Sequence, residues 1–186
     1  ELDVPGETAY LRQVDVDYYT MVGRQKSTEI LTTLAEKELH SHYFAIGQLK
    51  VRTKVTGYIK KHELTGQVLG GDNLSLPEEV LETMGMWFSP SPELVAKVEE
   101  AGLNLMGGLH AVEHAAIALL PLFAMCDRND VGGLSTTVHT QTGRPTIFIH
   151  DAYQGGVGFA EKGFERAEEL LAATLEAVAT CPCENG

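Results

Sequence analysis

The strongest constraint on the fold is a change in hydrophobic periodicity near residue 90. From Leu49 to Val55 apolar residues alternate with basic ones, which is the period of an extended strand with one buried face. After the break Ser89-Pro90-Ser91-Pro92, apolar residues recur with the period of a helix. The pattern predicts an α+β chain, in which an N-terminal antiparallel, barrel-like sheet over residues 1–90 precedes a helical half over residues 91–186 with one short buried strand.

The strand signals of the first half differ in clarity. Val14–Tyr18 alternates apolar and polar residues and predicts a half-buried strand, whereas residues 27–39 fit a strand or a helix equally well. Gly70-Gly71-Asp72-Asn73 predicts a turn, and Met84–Phe88 predicts a last short strand.

The second half carries clearer boundaries. Ser91 is expected to cap a helix that has Pro92 at its first position. A second helix, apolar nearly all round and therefore buried, is expected from about Leu105 to Met125. Thr146–His150 predicts the buried strand, and a last helix with an acidic exposed side is expected over about Phe159–Ala179.

The charge balance limits how this chain could meet nucleic acid. It has 26 acidic and 14 basic residues, a formal net charge of -12, so any DNA contact must come from a local patch. Five basic residues lie close together in one predicted strand segment: Lys50, Arg52, Lys54, Lys60 and Lys61. Their strand spacing suits a row of phosphates, but it equally suits the solvated face of an antiparallel strand.

His110-Ala111-Val112-Glu113-His114 matches the pattern H-x-x-E-H. Residues four apart share a helix face, so His110 and His114 could bind one metal ion while Glu113 acts as a general base. The alternative is a buried polar network, with partners expected among Asp127, Asp130, His150 and Asp151. The network is the favoured interpretation, because polar groups on an apolar helix must find hydrogen-bond partners.

Gly155-Gly156-Val157-Gly158 lies between a predicted strand and a predicted helix. Free backbone N–H groups at a helix start can hold phosphate, but this loop lacks the G-K-[ST] of a nucleotide-binding loop. A tight turn is the favoured interpretation.

The cysteines and the apolar segments indicate the compartment. An odd cysteine count (Cys126, Cys181 and Cys183) without a secretory signal argues against a disulfide framework. Cys181 and Cys183 could ligate one zinc ion if two more ligands arrive from elsewhere, or they could be idle thiols. No run of eighteen apolar residues is present, so we expect a cytoplasmic protein with no membrane partner.

Six stretches, each weak alone, become specific when taken in order: Val14–Thr20, Val55–Tyr58, Leu109–Ala115, Cys126–Gly133, Phe148–Phe159 and Cys181–Glu184. Together they resemble the C-terminal zinc-binding domain of the mitomycin-repair helicases, which have mycobacterial-type and fungal RecQ-related relatives among the superfamily-two DNA helicases. The resemblance covers almost the whole chain.

This resemblance implies a non-catalytic domain of a parent that is an ATP-dependent, 3′ to 5′ DNA helicase acting in repair. The parent's motor domains and DNA, single-stranded or forked, would be its partners. Zinc would be held by four cysteines, of which Cys181 and Cys183 are two. The other two are expected after Gly186, so this chain alone should hold zinc weakly or not at all. Two alternatives stay open, namely a zinc-dependent hydrolase built on the H-x-x-E-H helix and an acidic protein-interaction module.

Overall fold

A computed structural model describes residues 2–3 and 5–182 of the chain. The strands of these residues are β1 (Leu2–Asp3), β2 (Thr8–Ala9), β3 (Tyr18–Leu39), β4 (His42–His62), β5 (Val68–Asn73), β6 (Glu79–Ser89), β7 (Val131–Thr136) and β8 (Thr146–Asp151). The α-helices are α1 (Pro92–Glu100), α2 (Leu105–Leu119), α3 (Pro121–Ala124), α4 (Phe159–Glu165) and α5 (Ala167–Ala179).

The strands from β3 onward form one antiparallel sheet in the order β3-β4-β6-β8-β7, with β5 paired to β4. The predicted α+β class is therefore confirmed. Two details of that prediction are wrong. Main-chain pairing does not close the sheet within the described ranges, so it is not a barrel. The second half also supplies two strands, β7 and β8, where one was expected, because the glycines of β7 hide its strand pattern.

The chain divides into two compact units. One consists of Glu1–Gln25 and Lys54–Pro77, and the other of Lys26–Thr53 and Glu78–Gly186. The predicted division into residues 1–90 and 91–186 stays a prediction about the order of elements along the chain.

Both faces of the sheet are covered in the larger unit. One apolar cluster joins alternate residues of β4 and β6, such as Phe44 and Met86, to α2 residues that include Leu109 and Ile117. A second cluster on the opposite face contains Trp87 with the residues next to it, Leu49, Ala45 and Phe148. Neighbouring residues of a strand point to opposite faces, so Met86 lies in the first cluster and Trp87 in the second. Because both faces are buried, this part of β6 has a continuous run of apolar residues.

The loop between β7 and β8 hydrogen-bonds to the edge strand β3 through side chains. The ring Nε2 of His139 donates to the carbonyl of Thr28 at 2.9 Å. The amide of Gln141 accepts from the backbone N–H of Ile30 at 2.7 Å and donates to its carbonyl at 2.9 Å. These bonds satisfy edge groups of β3 that would otherwise be open to another chain.

The start of α4 is organised by one fully buried carboxylate. Asp151 ends β8, and its Oδ2 accepts from the backbone N–H of Val157 at 2.6 Å and of Gly158 at 3.0 Å. It also lies 3.4 Å from the N–H of Phe159, and its Oδ1 accepts from that of Ala160 at 2.8 Å. The carboxylate satisfies the N–H groups that the first turn of a helix leaves without partners.

The glycines after Asp151 make that approach sterically feasible. Gly155, Gly156 and Gly158 all have positive φ, which favours glycine. A Cβ on Gly156 would lie 2.6 Å from the Cβ of Met84. The structure thus supports the tight-turn interpretation, since the protein's own carboxylate fills the place where a phosphate would bind.

Several boundaries differ from the predictions for physical reasons. β3 begins only at Tyr18, so the predicted strand at Val14–Tyr18 is wrong except at its last residue, whereas residues 27–39 are strand. Gly70–Asn73 lies in β5, and the predicted turn is wrong. A Cβ on Gly71 would lie 2.3 Å from the carbonyl oxygen of Tyr58, so glycine there permits a close approach of two strands.

The two long predicted helices are each interrupted. Pro121 begins α3, and α2 ends just before it because proline has no N–H to continue the helix. The last helix is split at Arg166, whose backbone leaves the helical region. Ser91 accepts a hydrogen bond from the N–H of Leu94, which confirms the predicted cap of α1.

One helical stretch, Leu105–Ala124, is long and apolar enough to cross a membrane, with a mean hydropathy of 1.4. Length and composition are weak evidence, because a core helix of a globular domain passes the same test. This stretch also carries the buried Glu113 and packs Leu109, Ala116 and Ile117 into the core. The absence of a membrane partner stays a prediction.

Removing the carboxylate of Asp151 should destabilise the protein strongly. We expect Asp151→Ala to lower the free energy of unfolding by about 3 kcal/mol or more, since it leaves buried N–H groups unpaired. Urea denaturation would measure the loss. Asp127→Ala is the matched control, because Asp127 caps an exposed turn through Asn129 and should cost about 1 kcal/mol. Equal unfolding midpoints for the two variants would contradict this role.

Candidate polar and metal-binding site on helix α2

A polar cluster lies where α2 packs against β7. Glu113 is buried at 6% exposure on an otherwise apolar helix face. The hydroxyl of Ser135 donates to its Oε2 at 2.6 Å, and Nδ1 of His110 lies 3.2 Å from the same oxygen. The buried Glu113 thus belongs to a polar network, as the favoured interpretation predicts, but the residue that donates to its carboxylate from the facing strand is Ser135. Asp127, Asp130, His150 and Asp151, from which a partner was expected, make other hydrogen bonds.

The sequence gives no sign that Ser135 contacts Glu113, because the sequence pattern does not reveal strand β7. Ser135 faces inward only as part of a strand that pairs with β8, and Val131-Gly132-Gly133 gives no alternating pattern. A Cβ on Gly133 would lie 2.8 Å from Oε1 of Glu113 and 2.5 Å from Cδ1 of Ile117. Glycine at 133 therefore allows the helix to approach the strand closely enough for Ser135 to reach the carboxylate.

His110 and His114 complete the cluster on its solvent side. Their rings lie 4.4 Å apart, centre to centre, and nearly perpendicular, as expected for residues one helical turn apart. Both imidazoles are exposed. One ligand atom from each of His110, Glu113 and His114 lies within 4.8 Å of the others, so the three residues could hold a metal ion.

Two further polar side chains, Lys26 of β3 and His150 of β8, lie close to Gly132 of β7. Lys26 Nζ donates to the carbonyl of Gly133 at 3.0 Å. His150 donates from Nδ1 to the carbonyl of Asp151 at 2.9 Å, and among the described residues its Nε2 has no hydrogen-bond partner. Burial, reinforced by Lys26, lowers the pKa of His150 to about 4, against the opposing effects of Asp151 and Glu113.

The predicted DNA-contacting residues fall into two groups. Lys50 pairs with Glu82 at 2.8 Å, and Arg52 lies 3.2 Å from Glu78 and 3.8 Å from Glu29. Acidic residues of neighbouring segments therefore already neutralise this part of the row.

The other group lies farther along β4. Lys54 is exposed, whereas Lys60 and Lys61 are half-buried. Lys60 Nζ lies over the rings of Tyr18, at 5.4 Å, and Tyr58, at 5.8 Å. An ammonium group between aromatic rings can pair with a DNA phosphate while the rings stack on bases. This group therefore stays the stronger DNA-contact prediction.

The family resemblance implies that cysteines hold zinc, and the three cysteines of this chain differ in their surroundings. Cys181 is exposed just after α5, and Cys183 lies outside the described residues. Cys126 is a half-buried free thiol, and burial, with Asp130 nearby, raises its pKa and so disfavours the thiolate that zinc needs. The assignment of Cys181 and Cys183 as two of four zinc-binding thiolates therefore stays a prediction that follows from the family resemblance.

Comparison with known proteins identifies the class. Residues 112–186 match the sequence profile of the MrfA Zn-binding domain. The ATP-dependent helicase YprA of Bacillus subtilis is 34% identical over 194 residues, spanning 100% of this chain and 24% of that protein. Protein MJ1572.1 of Methanocaldococcus jannaschii is 37% identical over 81 residues, spanning 42% of this chain and 72% of that protein.

Solved structures agree. A crystal structure of the helicase MrfA bound to DNA matches 100% of this chain and 24% of that chain, with 30% identity and a TM-score of 0.68. The chain belongs to the family of proteins that carry the MrfA Zn-binding domain. It spans about a quarter of the length of YprA and of MrfA.

The neutral, buried His150 predicts a specific loss of stability in acid. Because its pKa is about 4 when folded and about 6.5 when unfolded, only the unfolded chain takes up a proton between those values. Stability should therefore fall by about 3 kcal/mol as pH drops from about 6.5 to 4. Denaturation at several pH values should show this component in the wild type and in the exposed control His40→Asn, but not in His150→Asn. An unchanged slope in His150→Asn would refute the assignment.

Proposed function

We propose that this chain is the non-catalytic, zinc-binding C-terminal domain of an ATP-dependent DNA helicase that moves 3′ to 5′ and acts in DNA repair in the cytoplasm. The observation that carries the proposal is the match of the entire chain to a quarter of MrfA, a helicase crystallised with DNA, at a TM-score of 0.68. YprA, which matches over the same span, is also an ATP-dependent helicase.

In this proposal the domain supports the reaction without catalysing it. ATP hydrolysis belongs to motor domains, which would lie in the other three-quarters of a protein as long as YprA or MrfA. The domain contributes a sheet that is covered on both faces in its larger unit. Zinc would be held by Cys181 and Cys183 with two further thiolates, a closed structural site that fixes the segment after α5.

The hydrolase alternative receives no support from the geometry of α2. A general base must be free to take a proton from a metal-bound water molecule. The carboxylate of Glu113 instead accepts from Ser135 and lies beside His110 in a buried position. An arrangement of this kind suits a ligand or a structural hydrogen bond more than a base.

Metal analysis and unwinding assays test the proposal on the helicase-length protein, by which we mean a protein of the length of YprA that contains this domain and the motor domains. We expect at least one tightly held zinc ion per chain and one fewer in the double variant Cys181→Ser/Cys183→Ser. Unwinding should require ATP and a 3′ single-stranded tail. The same zinc content in both proteins, or unwinding from a 5′ tail only, would contradict the proposal.

The two groups of basic residues should differ in their contribution to DNA binding. Lys60→Ala/Lys61→Ala in the helicase-length protein should weaken DNA binding and reduce the slope of log K against log salt by about 1 to 2, since each lost phosphate contact removes nearly one unit. Lys50→Ala/Arg52→Ala is the matched control and should change the slope less, because acidic residues already neutralise both cations. Equal slopes for the two double variants would contradict the assignment.

A further inference from the structure

We propose that His110, Glu113 and His114 form a second zinc site on α2, separate from the cysteines and independent of the helicase assignment. Two imidazoles and one carboxylate are a donor set that zinc takes in proteins. The three ligand atoms lie within 4.8 Å of one another, without the help of any other segment.

The spacing of the atoms fits a shared ion. Nδ1 of His110 and Oε2 of Glu113 are 3.2 Å apart. Two ligands at about 2.0–2.1 Å from one tetrahedral zinc ion are about 3.3 Å apart. The exposed rings of His110 and His114 have room to rotate the remaining distance, and they leave an open path for the ion to enter.

The carboxylate is held in place before any ion binds. Ser135 donates to Glu113 Oε2 at 2.6 Å from the facing strand, so the oxygen that approaches His110 is fixed by a neighbour outside the helix. Partners that orient ligands in this way commonly change metal affinity by about 10- to 100-fold when they are removed.

Three protein ligands leave a fourth position facing solvent. The side chain of His110 is 57% exposed, so water can occupy that position. The site is thus an open, nitrogen- and oxygen-ligated zinc site, unlike the closed thiolate site proposed at the cysteines.

Another histidine provides an internal comparison. His40 Nε2 lies 3.6 Å from Glu168, but both side chains are more than 70% exposed, and among the described residues this pair is not part of a three-ligand group. His40 therefore serves as a matched control, since its removal deletes one exposed imidazole beside a glutamate and leaves the α2 cluster intact.

The test is zinc binding by the chain in which both C-terminal cysteines are replaced, Cys181→Ser/Cys183→Ser. After equilibration with Zn2+ and dialysis, we expect about one zinc per chain. Adding His114→Ala or His110→Ala should abolish that binding, and adding His40→Ala should leave it unchanged. Adding Ser135→Ala should weaken the affinity by about 10- to 100-fold. Circular dichroism would establish that each variant is folded, and both exposed histidines can be replaced without opening the core.

Cobalt gives a second readout, which does not require the metal to stay bound during dialysis. Co2+ bound to the same chain should show visible d–d bands without the near-ultraviolet charge-transfer band of a thiolate. A chain that binds no zinc once both C-terminal cysteines are replaced, or equal zinc loss in the His114→Ala and His40→Ala variants, would overturn the proposal. A thiolate band would do the same, because it would assign the metal to Cys126. None of these results bears on the zinc that Cys181 and Cys183 would hold in the helicase-length protein, so the two proposals fail separately.

Discussion

The arrangement of the larger unit depends on the buried carboxylate of Asp151. It stands at the end of the inner strand β8, and its two oxygens accept hydrogen bonds from the N–H groups at the start of α4. The same residue's carbonyl accepts from Thr83 on β6 and from His150. The side chain and the backbone of Asp151 thus connect the sheet to α4, and the N–H groups at the start of that helix are paired within the protein.

Side-chain hydrogen bonds also occur at two strands that lie at the edge of the sheet, β3 and β7. Gln141 and His139 cover the edge of β3 from a loop, and Lys26 reaches the backbone of β7. Ser135 and Glu113 join β7 to α2. The sheet therefore needs no closing ladder, because side chains satisfy several of its edge groups. The same polar joint leaves an anchored carboxylate beside two exposed imidazoles, which is the arrangement that a metal ion can use.

The sequence predicts the parts of this fold whose signals are local. Alternation along β4, the Ser91 cap of α1 and the apolar run of β8 are present in the structure because each follows from neighbouring residues. β7 was missed because its glycines serve close contacts with α2 and with His150, and such contacts leave no periodic trace. For the same reason the motif on α2 was found from its spacing, while its partner Ser135, 22 residues away from Glu113, was not.

The two proposals together give this domain zinc in two chemically different sites, with thiolate ligands at the C-terminal cysteines and nitrogen and oxygen ligands on α2. Zinc-edge X-ray absorption on the zinc-loaded, helicase-length protein distinguishes these ligands. We expect two shells of scatterers, sulfur at about 2.3 Å and nitrogen or oxygen at about 2.0–2.1 Å, in comparable numbers. A spectrum with sulfur alone would contradict the α2 site, and one with nitrogen and oxygen alone would contradict the cysteine site.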